Sequence, residues 1–427
     1  MPSTSMIESP SRRGSIVVAV TSVNLILCYG AWYAYSVFLV ALLKEFGWSR
    51  SLLSGVFSAF LAVHGLAAPF IGWLAARCGP RKLILCGSVV MALGLILSAE
   101  TTEWWHLYLA FGCIAAVGVT LAAWIPSIVL VRGWFPDRVG TAVGIASSGI
   151  GVGIFAIVPL TQVLIDGFGW RWAYRLLGLA IAAWVLPATL VLVRDPPRHE
   201  LHQAESVRGS APSGRAEAYW TLSAAARTWR FWGVSGVYLT GNFVTQMLLI
   251  HQVVYLVDHG VPTLTAAALG GITGLVSIVG KIGWGTLSDR TTRPRAYGLA
   301  FACVATSIGV LVLAGRHPTS SLPYLYALLI GLGYGAMAPL APAIASDLFA
   351  GPGFSLIFAS LYTAGCVGLA TGTWSAGWVF DVTGSYAGAL WLGLFMAILS
   401  PLLMWCVAPR RGVAQRPTCA PRGSSHP

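Results

Sequence analysis

The chain has 427 residues, of which 56% are hydrophobic and only 9% are charged, and its mean hydropathy is +0.76. These values lie far outside the usage of soluble proteins and predict an integral membrane protein. The formal net charge of +12 does not indicate a nucleic-acid partner, because the basic residues fall in short loops between apolar runs and in the two tails.

Apolar runs recur along the chain, and most are long enough for a helix to cross a hydrocarbon core about 30 Å thick. They contain Gly and Ser and lack the strict alternation of a barrel strand, so we predict an all-α membrane protein. Twelve spans are expected, at residues 16–43, 52–75, 83–99, 105–131, 139–165, 172–193, 231–257, 263–287, 296–314, 322–345, 354–380 and 386–407.

A polar segment rich in Pro, Ser, Gly and charge, RDPPRHELHQAESVRGSAPSGRAEA at 194–218, separates six spans from six. Within the region between the halves, AYWTLSAAARTWRFW at 218–232 fits either a short helix on the inner membrane surface or an extension of the seventh span. The predicted organisation is an N-terminal half at 1–193, a cytoplasmic linker at 194–229, a C-terminal half at 230–409 and a basic disordered tail at 410–427.

The distribution of basic residues predicts the orientation. With both termini in the cytoplasm, 20 of the 26 Lys and Arg lie on the cytoplasmic side, five lie outside, and Lys281 lies within a span. The positive-inside rule favours this arrangement. We expect a monomeric, multi-pass protein of the plasma membrane, which is the inner membrane in a Gram-negative bacterium, with the lipid bilayer as its constant partner.

A short motif occurs at the same place in each half. GWLAARCGPRK from Gly72 follows the second span, and GTLSDRTTRPR from Gly285 follows the eighth, so both loops contain G-x-L-x-x-R. Related six-helix units that face each other are a common basis of alternating access in carriers.

These paired loops and the two groups of six spans resemble the major facilitator superfamily over essentially the whole chain. The runs RGWFPDRVGTAVGIASSGIGVGIFAIVPL from Arg132, GWRWAY from Gly169 and FGWSRS after the first span are similar to the monocarboxylate transporter and oxalate/formate exchanger branch. The resemblance implies twelve transmembrane helices in two pseudo-symmetric six-helix halves that rock against each other.

The resemblance also implies a gating role for six loop residues: Gly72, Arg77, Arg81, Gly285, Asp289 and Arg290. Ala76 stands where the family usually has an aspartate, so we expect weaker charge interactions in the first loop. Asp289 ends a helix, where its interaction with the helix dipole is unfavourable, and we expect Arg290, Arg293 or Arg295 to compensate. The alternative is a plain solvated turn.

Small residues in the fifth span, within GIASSGIGVG, predict close backbone packing: Gly144, Ser147, Ser148, Gly149, Gly151 and Gly153. The resemblance places this helix near the moving interface between the halves.

Lys281 is a charge within an apolar span, eight residues before Asp289. That spacing is about 12 Å of helix, which places the lysine well inside the membrane. Such a charge costs about 2.5 to 3.5 kcal/mol and normally faces a cavity or a partner. All fourteen Asp and Glu lie in loops, tails or span ends. The missing anion is therefore predicted to be the substrate, and the resembling branch likewise carries a substrate-binding basic residue here; the alternative is a snorkelled or deprotonated structural lysine.

The number of cations limits the substrate. Oxalate exchangers carry a second basic residue on the eleventh helix, where this chain has Gly365 and Cys366, and the first-half equivalent of the lysine site is Ala68. A dicarboxylate would leave one charge unpaired in low dielectric, so we predict a small organic monocarboxylate.

Polar and aromatic side chains on the cavity-forming helices are candidates for the rest of the pocket, with helix packing as an equally good explanation for each aromatic residue. Hydroxyls and an amide would orient the carboxylate, and rings would line a slot for the organic tail. The candidates are Tyr33, Tyr35, His64, Trp124, Asn242, His251, Tyr334 and Tyr362.

The coupling mode stays open between proton symport and anion exchange. Animal members of the branch often have an acidic residue one turn before the cation, whereas this chain has Ser277. His64, His251 and a desolvated Lys281 are the titratable candidates for symport, while exchange of carboxylates needs no titrating group.

Two other functions are compatible with the sequence: an exporter of drug-like or amphipathic compounds, and a transport-dead carboxylate sensor. An enzyme is not expected, because no P-loop, HExxH or nucleophile elbow occurs. The eight cysteines form no CxxC pair, so we expect neither metal nor cofactor.

Overall fold

The computed structural model describes residues 10–135, 139–195, 220–349 and 354–408. Every regular element in these ranges is a helix. Most of the predicted linker, 196–219, and the predicted tail, 410–427, lie outside the described residues.

The N-terminal half begins with four spans, and the first and fourth of these are interrupted. Their helices are Pro10–Tyr33 and Tyr35–Phe46 for the first span, Arg50–Cys78 for the second, Pro80–Ser98 for the third, and Trp104–Leu107, the π-helical Tyr108–Ala115, Ala116–Ala122 and Trp124–Trp134 for the fourth.

The fifth and sixth spans form one kinked element, Val139–Leu192, with non-helical backbone at Gly169 (φ 81°). This left-handed φ is readily available to glycine, which has no Cβ. Ten helical segments of the described chain are long and apolar enough to cross a membrane. One of them contains this kink and so provides two spans, and Trp229–Asp258 provides the seventh. The described residues thus agree with the predicted twelve helices.

The C-terminal half is preceded by a short helix, Leu222–Ala226, which is separate from the seventh span. The Thr228 hydroxyl caps the seventh span by accepting from the Phe231 N–H at 3.3 Å. The six spans of this half are Trp229–Asp258, Thr263–Arg290, Arg293–Arg316, Leu322–Gly335 continued by Met337–Phe349, Phe354–Thr383, and Ala387–Val407.

The two ends of the helix bundle carry different loops. We call the end with both loop motifs, Pro10 and Ala408 the proximal end. The distal end carries the turns at Gly47, Gly260 and Gly384, all of which have positive φ.

The halves pack backbone to backbone at the centre of the molecule. A Cβ at Gly151 of the fifth span would lie 2.7 Å from the carbonyl oxygen of Gly274 in the eighth span. Gly149 and Gly153 approach the first span equally closely, at Ser22 and Ile26. The predicted close packing of the fifth span is confirmed at these three glycines.

The contact between the halves is close at the centre and is absent at two glycines nearer the proximal end. The second and eleventh spans meet from the distal end to the centre, where Gly377 packs on Arg50 and Gly65 packs on Cys366. Toward the proximal end, Gly144 of the fifth span and Gly283 of the eighth have no neighbour within 4 Å of a Cβ built on them. The two helices that touch at the centre therefore make no such contact at these two glycines.

Candidate functional site

Lys281 is held beside Tyr334 by close contact between the eighth and tenth spans. A Cβ at Gly335 would lie 2.7 Å from the Ser277 carbonyl oxygen and 2.8 Å from the Lys281 backbone nitrogen, so only glycine permits this approach. The Lys281 Nζ lies 5.8 Å from the centroid of the Tyr334 ring, within reach of a cation–π interaction.

The Lys281 ammonium has no carboxylate partner within the described parts of the chain. None of the ion pairs found there includes it. A cation inside the membrane without a counter-charge is unfavourable, and one aromatic face compensates only part of that cost. The site can therefore accept an anion.

A tyrosine cluster, Tyr29, Tyr33, Tyr334 and Tyr362, lies next to the lysine. The Tyr33 and Tyr334 hydroxyl oxygens are 3.0 Å apart and join the first span to the tenth, across the halves. Tyr29 and Tyr362 lie near the Tyr33 phenol. Tyr29 precedes Tyr33 by one helical turn. Its position within an ordinary apolar span did not indicate in the sequence that it lies in this cluster.

Asn242 and His64 border the cluster from opposite halves. Asn242 Nδ2 donates to the Tyr238 carbonyl at 2.7 Å, and Gly365 packs on Asn242. The Thr120 hydroxyl donates to a backbone carbonyl and so accepts from His64 Nδ1 at 2.9 Å.

The Trp32 ring links His64 to the tyrosine cluster. Its centroid is 4.9 Å from the His64 imidazole and 5.3 Å from the Tyr29 ring. Both histidine and tyrosine thus border the same indole.

Three other candidates have no described contact with the lysine. The Tyr35 hydroxyl donates to the Leu53 carbonyl at 2.7 Å, and its ring packs among phenylalanines of the N-terminal half. Trp124 starts a helix after the non-helical residue Ala123 and is half-buried. His251 belongs to a cluster at the distal end.

The first loop motif obtains its carboxylate from another residue. Arg81 donates its backbone N–H to Asp195 at 3.1 Å and its guanidinium to the carbonyls of Thr189 and Leu190 at the end of the sixth span. Arg77 lies over the Trp73 ring at 4.3 Å. Asp195 therefore places a carboxylate at the start of the third span, beside this loop.

In the second loop motif, Arg293 supplies the expected compensation for Asp289. Its guanidinium lies 2.8 Å from the Asp289 carboxylate and 3.2 Å from that of Asp347 in the tenth span. Arg290 is exposed. All of these contacts stay within the C-terminal half.

The sequence model of the Major Facilitator Superfamily matches residues 21–327. The chain belongs to this superfamily. It is also similar, over most of its length, to Rattus norvegicus proteins named monocarboxylate transporter 13 (26% identical, 92% of this chain and 90% of the relative) and monocarboxylate transporter 3 (28%, 92% and 81%). The predicted resemblance to the superfamily and to its monocarboxylate transporter branch is confirmed.

Solved structures of the superfamily have the same fold. A bacterial homolog of the human lysosomal transporter Spinster, in an inward-facing and occupied conformation, matches with a TM-score of 0.71 and 16% identity, over 94% of this chain and 97% of that one. Superfamily membership and the transporter names of the relatives indicate a multi-pass membrane transporter.

This superfamily member also has a charged cluster at its distal end, which sequence reasoning missed apart from His251. Arg50, the first residue of the second span, lies 2.7 Å from the Asp258 carboxylate and 2.9 Å from the Tyr386 hydroxyl. The Asp381 carboxylate accepts from the backbone N–H groups of Arg50 and Ser51, at 2.9 and 2.7 Å. We call Arg50, Asp258, Asp381, Tyr386 and His251 the distal gate. His251 and the run FGWSRS, which contains Arg50, were its signals in the sequence.

Proposed function

We propose that the protein is a secondary active transporter that moves a small organic monocarboxylate across the membrane by alternating access. The observation that carries this proposal is Lys281, a cation between the halves that has an aromatic neighbour and no carboxylate partner in the described chain. The names of the rat relatives support the same substrate class.

The substrate carboxylate binds the Lys281 ammonium, and the hydroxyls of Tyr33 and Tyr334 orient it. One cation neutralises one carboxylate, so a dicarboxylate would leave a charge without a partner in low dielectric. The rings of Tyr29 and Trp32 offer an apolar wall for the organic tail.

Two buried polar groups near the cluster favour a substrate with a second polar group. Trp32 Nε1 and Tyr238 Oη are buried and have no hydrogen-bond partner among the described residues. Buried donors without partners are unfavourable. A hydroxyl or keto oxygen on the substrate would satisfy one of them.

Substrate binding can drive alternating access because its ligands come from both halves. Tyr33 lies in the first span, and Lys281 and Tyr334 lie in the eighth and tenth. The distribution of basic residues supports a cytoplasmic proximal end in the plasma membrane, with 20 Lys and Arg on that side and five on the other.

Uptake by reconstituted protein tests the substrate site. We would measure entry of labelled lactate, pyruvate, an aromatic acid and oxalate into liposomes. Lys281→Ala is expected to reduce monocarboxylate uptake at low concentration by about a hundredfold or more, because breaking a buried ion pair costs about 3 to 5 kcal/mol. Lys44→Ala, which removes an exposed distal lysine, should behave like the wild type.

Equal uptake by wild type and Lys281→Ala would make Lys281 a structural residue and end the monocarboxylate assignment. Transport of neutral or cationic amphipathic compounds that survives the substitution would indicate an exporter.

A further inference from the structure

A hydrogen-bonded chain runs from Arg50 in the N-terminal half to His251 in the C-terminal half. A guanidinium only donates, so Tyr386 Oη accepts from Arg50 at 2.9 Å. The Tyr386 proton is then directed to His251 Nδ1, 3.0 Å away. The Thr373 carbonyl only accepts, so His251 Nε2, 2.9 Å from it, carries the ring proton. With the distal end closed, His251 is therefore neutral.

A second proton on the His251 ring is incompatible with this series of hydrogen bonds. It would occupy Nδ1 and face the Tyr386 oxygen, which already accepts from Arg50. The Tyr386 hydroxyl proton would lose its acceptor, and an unpartnered buried donor is unfavourable. Among the described residues, the Tyr386 hydroxyl has no hydrogen-bond partner other than Arg50 and His251.

Separation of the halves removes the conflict because the charges are divided unevenly between them. Arg50 belongs to the N-terminal half, whereas Asp258 and Asp381 belong to the same half as His251. When the distal end opens, the cation moves away with the second span and both carboxylates stay near the histidine. A positive His251 is then favoured by opposite charges and is no longer opposed by a like charge.

Other charged and titratable groups around the distal gate leave this balance unchanged. The part of the eighth span at 263–280, which packs beside the seventh, contains none. The remaining groups lie at the rim of the gate or at the distal ends of the first and sixth spans. They are Tyr255, His259, Arg316, Lys44, Glu45 and Arg171, of which Glu45 and Arg171 pair with each other at 3.0 Å.

A cavity connects the gate to the distal solvent. Its volume is about 470 Å³, and its walls include Arg50, Asp258, His259 and Tyr386. Asp258 and His259 are exposed. His251 lies directly behind Tyr386, so protons reach it from the distal side through one hydroxyl.

We propose that His251 is the proton-binding latch of the distal gate, and that its protonation from the distal side separates Arg50 from Asp258 and Tyr386. The inference rests on the proposed function, for which it provides the proton step of a monocarboxylate symport. One linked proton changes the ratio of open to closed gates by at most about tenfold per pH unit. Opening favours proton uptake to the same extent.

The test measures gate opening without substrate. Spin labels at Lys44 and Val382, exposed distal positions in opposite halves, report the distance across the gate by double electron–electron resonance. The labels are placed in full-length protein whose other cysteines have been replaced. Distances are measured between about pH 8 and pH 5, the range in which histidine titrates. In this labelled protein without further substitutions, we expect the fraction of molecules with the long distance to increase on acidification.

The matched variants are His251→Gln and His259→Gln. A glutamine at 251 can donate to Thr373 and accept from Tyr386, so it should hold the short distance at every pH. His259→Gln changes a histidine at the cavity rim and should keep the full response. The proposal would be overturned if the distance between the labels increased on acidification as much in His251→Gln as in the labelled protein without this substitution. It would also be overturned if that labelled protein showed no increase.

Two further variants keep the result interpretable. Tyr386→Phe cuts the link between Arg50 and His251 and should reduce the pH response even if His251→Gln does not fold; an undiminished response contradicts the proposal. Lys281→Ala should keep the pH response while losing uptake. If the substrate assignment is wrong, the pH dependence of the label distance can still be interpreted. If the role of His251 is wrong, the effect of Lys281→Ala on uptake can still be interpreted.

Discussion

Tyr33 and Tyr35 are two residues apart, yet their hydroxyls have different partners. Tyr33 meets Tyr334 at 3.0 Å across the halves, whereas Tyr35 donates to the Leu53 carbonyl at 2.7 Å within the N-terminal half. Helical residues two positions apart do not share a face. Identical side chains in one short stretch thus have separate roles, one at the candidate site and one in packing.

Phenylalanine substitutions separate these roles. Tyr334→Phe keeps a ring beside Lys281 and removes only the hydroxyl. We expect KM for the monocarboxylate to rise about tenfold or more, because a hydrogen bond to a charged group contributes about 1.5 to 3 kcal/mol. Tyr35→Phe should leave KM unchanged and lower stability by about 1 kcal/mol. Uptake kinetics and thermal unfolding check both, and a similar rise of KM in both variants would contradict the assignment.

Single residues differ in how well the sequence reveals them. Lys281 was identifiable because a charge in an apolar span has a large free-energy cost and needs an explanation. Arg50 and Asp258 were not, since a charge at a span end is ordinary, and their pairing joins positions 208 residues apart in the chain. Proximity of that kind follows from the packing of the halves and is absent from local patterns.

At the scale of helices, the contact between the fifth and eighth spans depends on the absence of side chains. A Cβ at Gly151 would lie 2.7 Å from the Gly274 carbonyl oxygen, whereas one at Gly144 would meet nothing within 4 Å. Both glycines belong to the same helix, two turns apart. The first is at the contact between the halves, and the second is exposed and has no neighbour.

The same substitution at these two positions therefore has different expected effects. Gly151→Ala forces a methyl group into the interface, and overpacking of this kind costs about 1 to 3 kcal/mol. We expect the maximal uptake rate to fall about tenfold while the protein remains folded. Gly144→Ala should transport like the wild type. Normal transport by Gly151→Ala, measured at equal protein content, would show that the contact is not part of the moving interface.

Helix boundaries were predictable where the sequence carries a break in hydropathy. The turn at GWRWAY separated the predicted fifth and sixth spans, and the chain kinks there at Gly169. The break at Ala123 in the fourth span has no such signal, because it lies among apolar residues without glycine or proline at the break itself. Tertiary packing decides such interruptions.

At the scale of the whole molecule, the charged contacts of the two ends differ in what they connect. The distal contacts of Arg50 and Asp381 cross between the halves. The proximal contacts, Arg81 with Asp195 and Arg293 with Asp347, stay inside one half each. Of these contacts between described residues, the distal ones therefore join the halves, whereas the two proximal ones do not.

Removing one carboxylate from each end tests this asymmetry. Asp381→Ala deletes a carboxylate that one half provides to the first N–H groups of a helix of the other, in addition to that helix's own N-cap Ser49. Since loss of a cap costs about 0.5 to 2 kcal/mol, the distal-open population should increase about two- to thirtyfold relative to the closed one. Asp347→Ala removes a partner of Arg293 within one half and should leave the distal distances unchanged. The Lys44 and Val382 spin labels report both at fixed neutral pH, and equal distributions in the two variants would mean that the closed distal end does not depend on contacts between the halves.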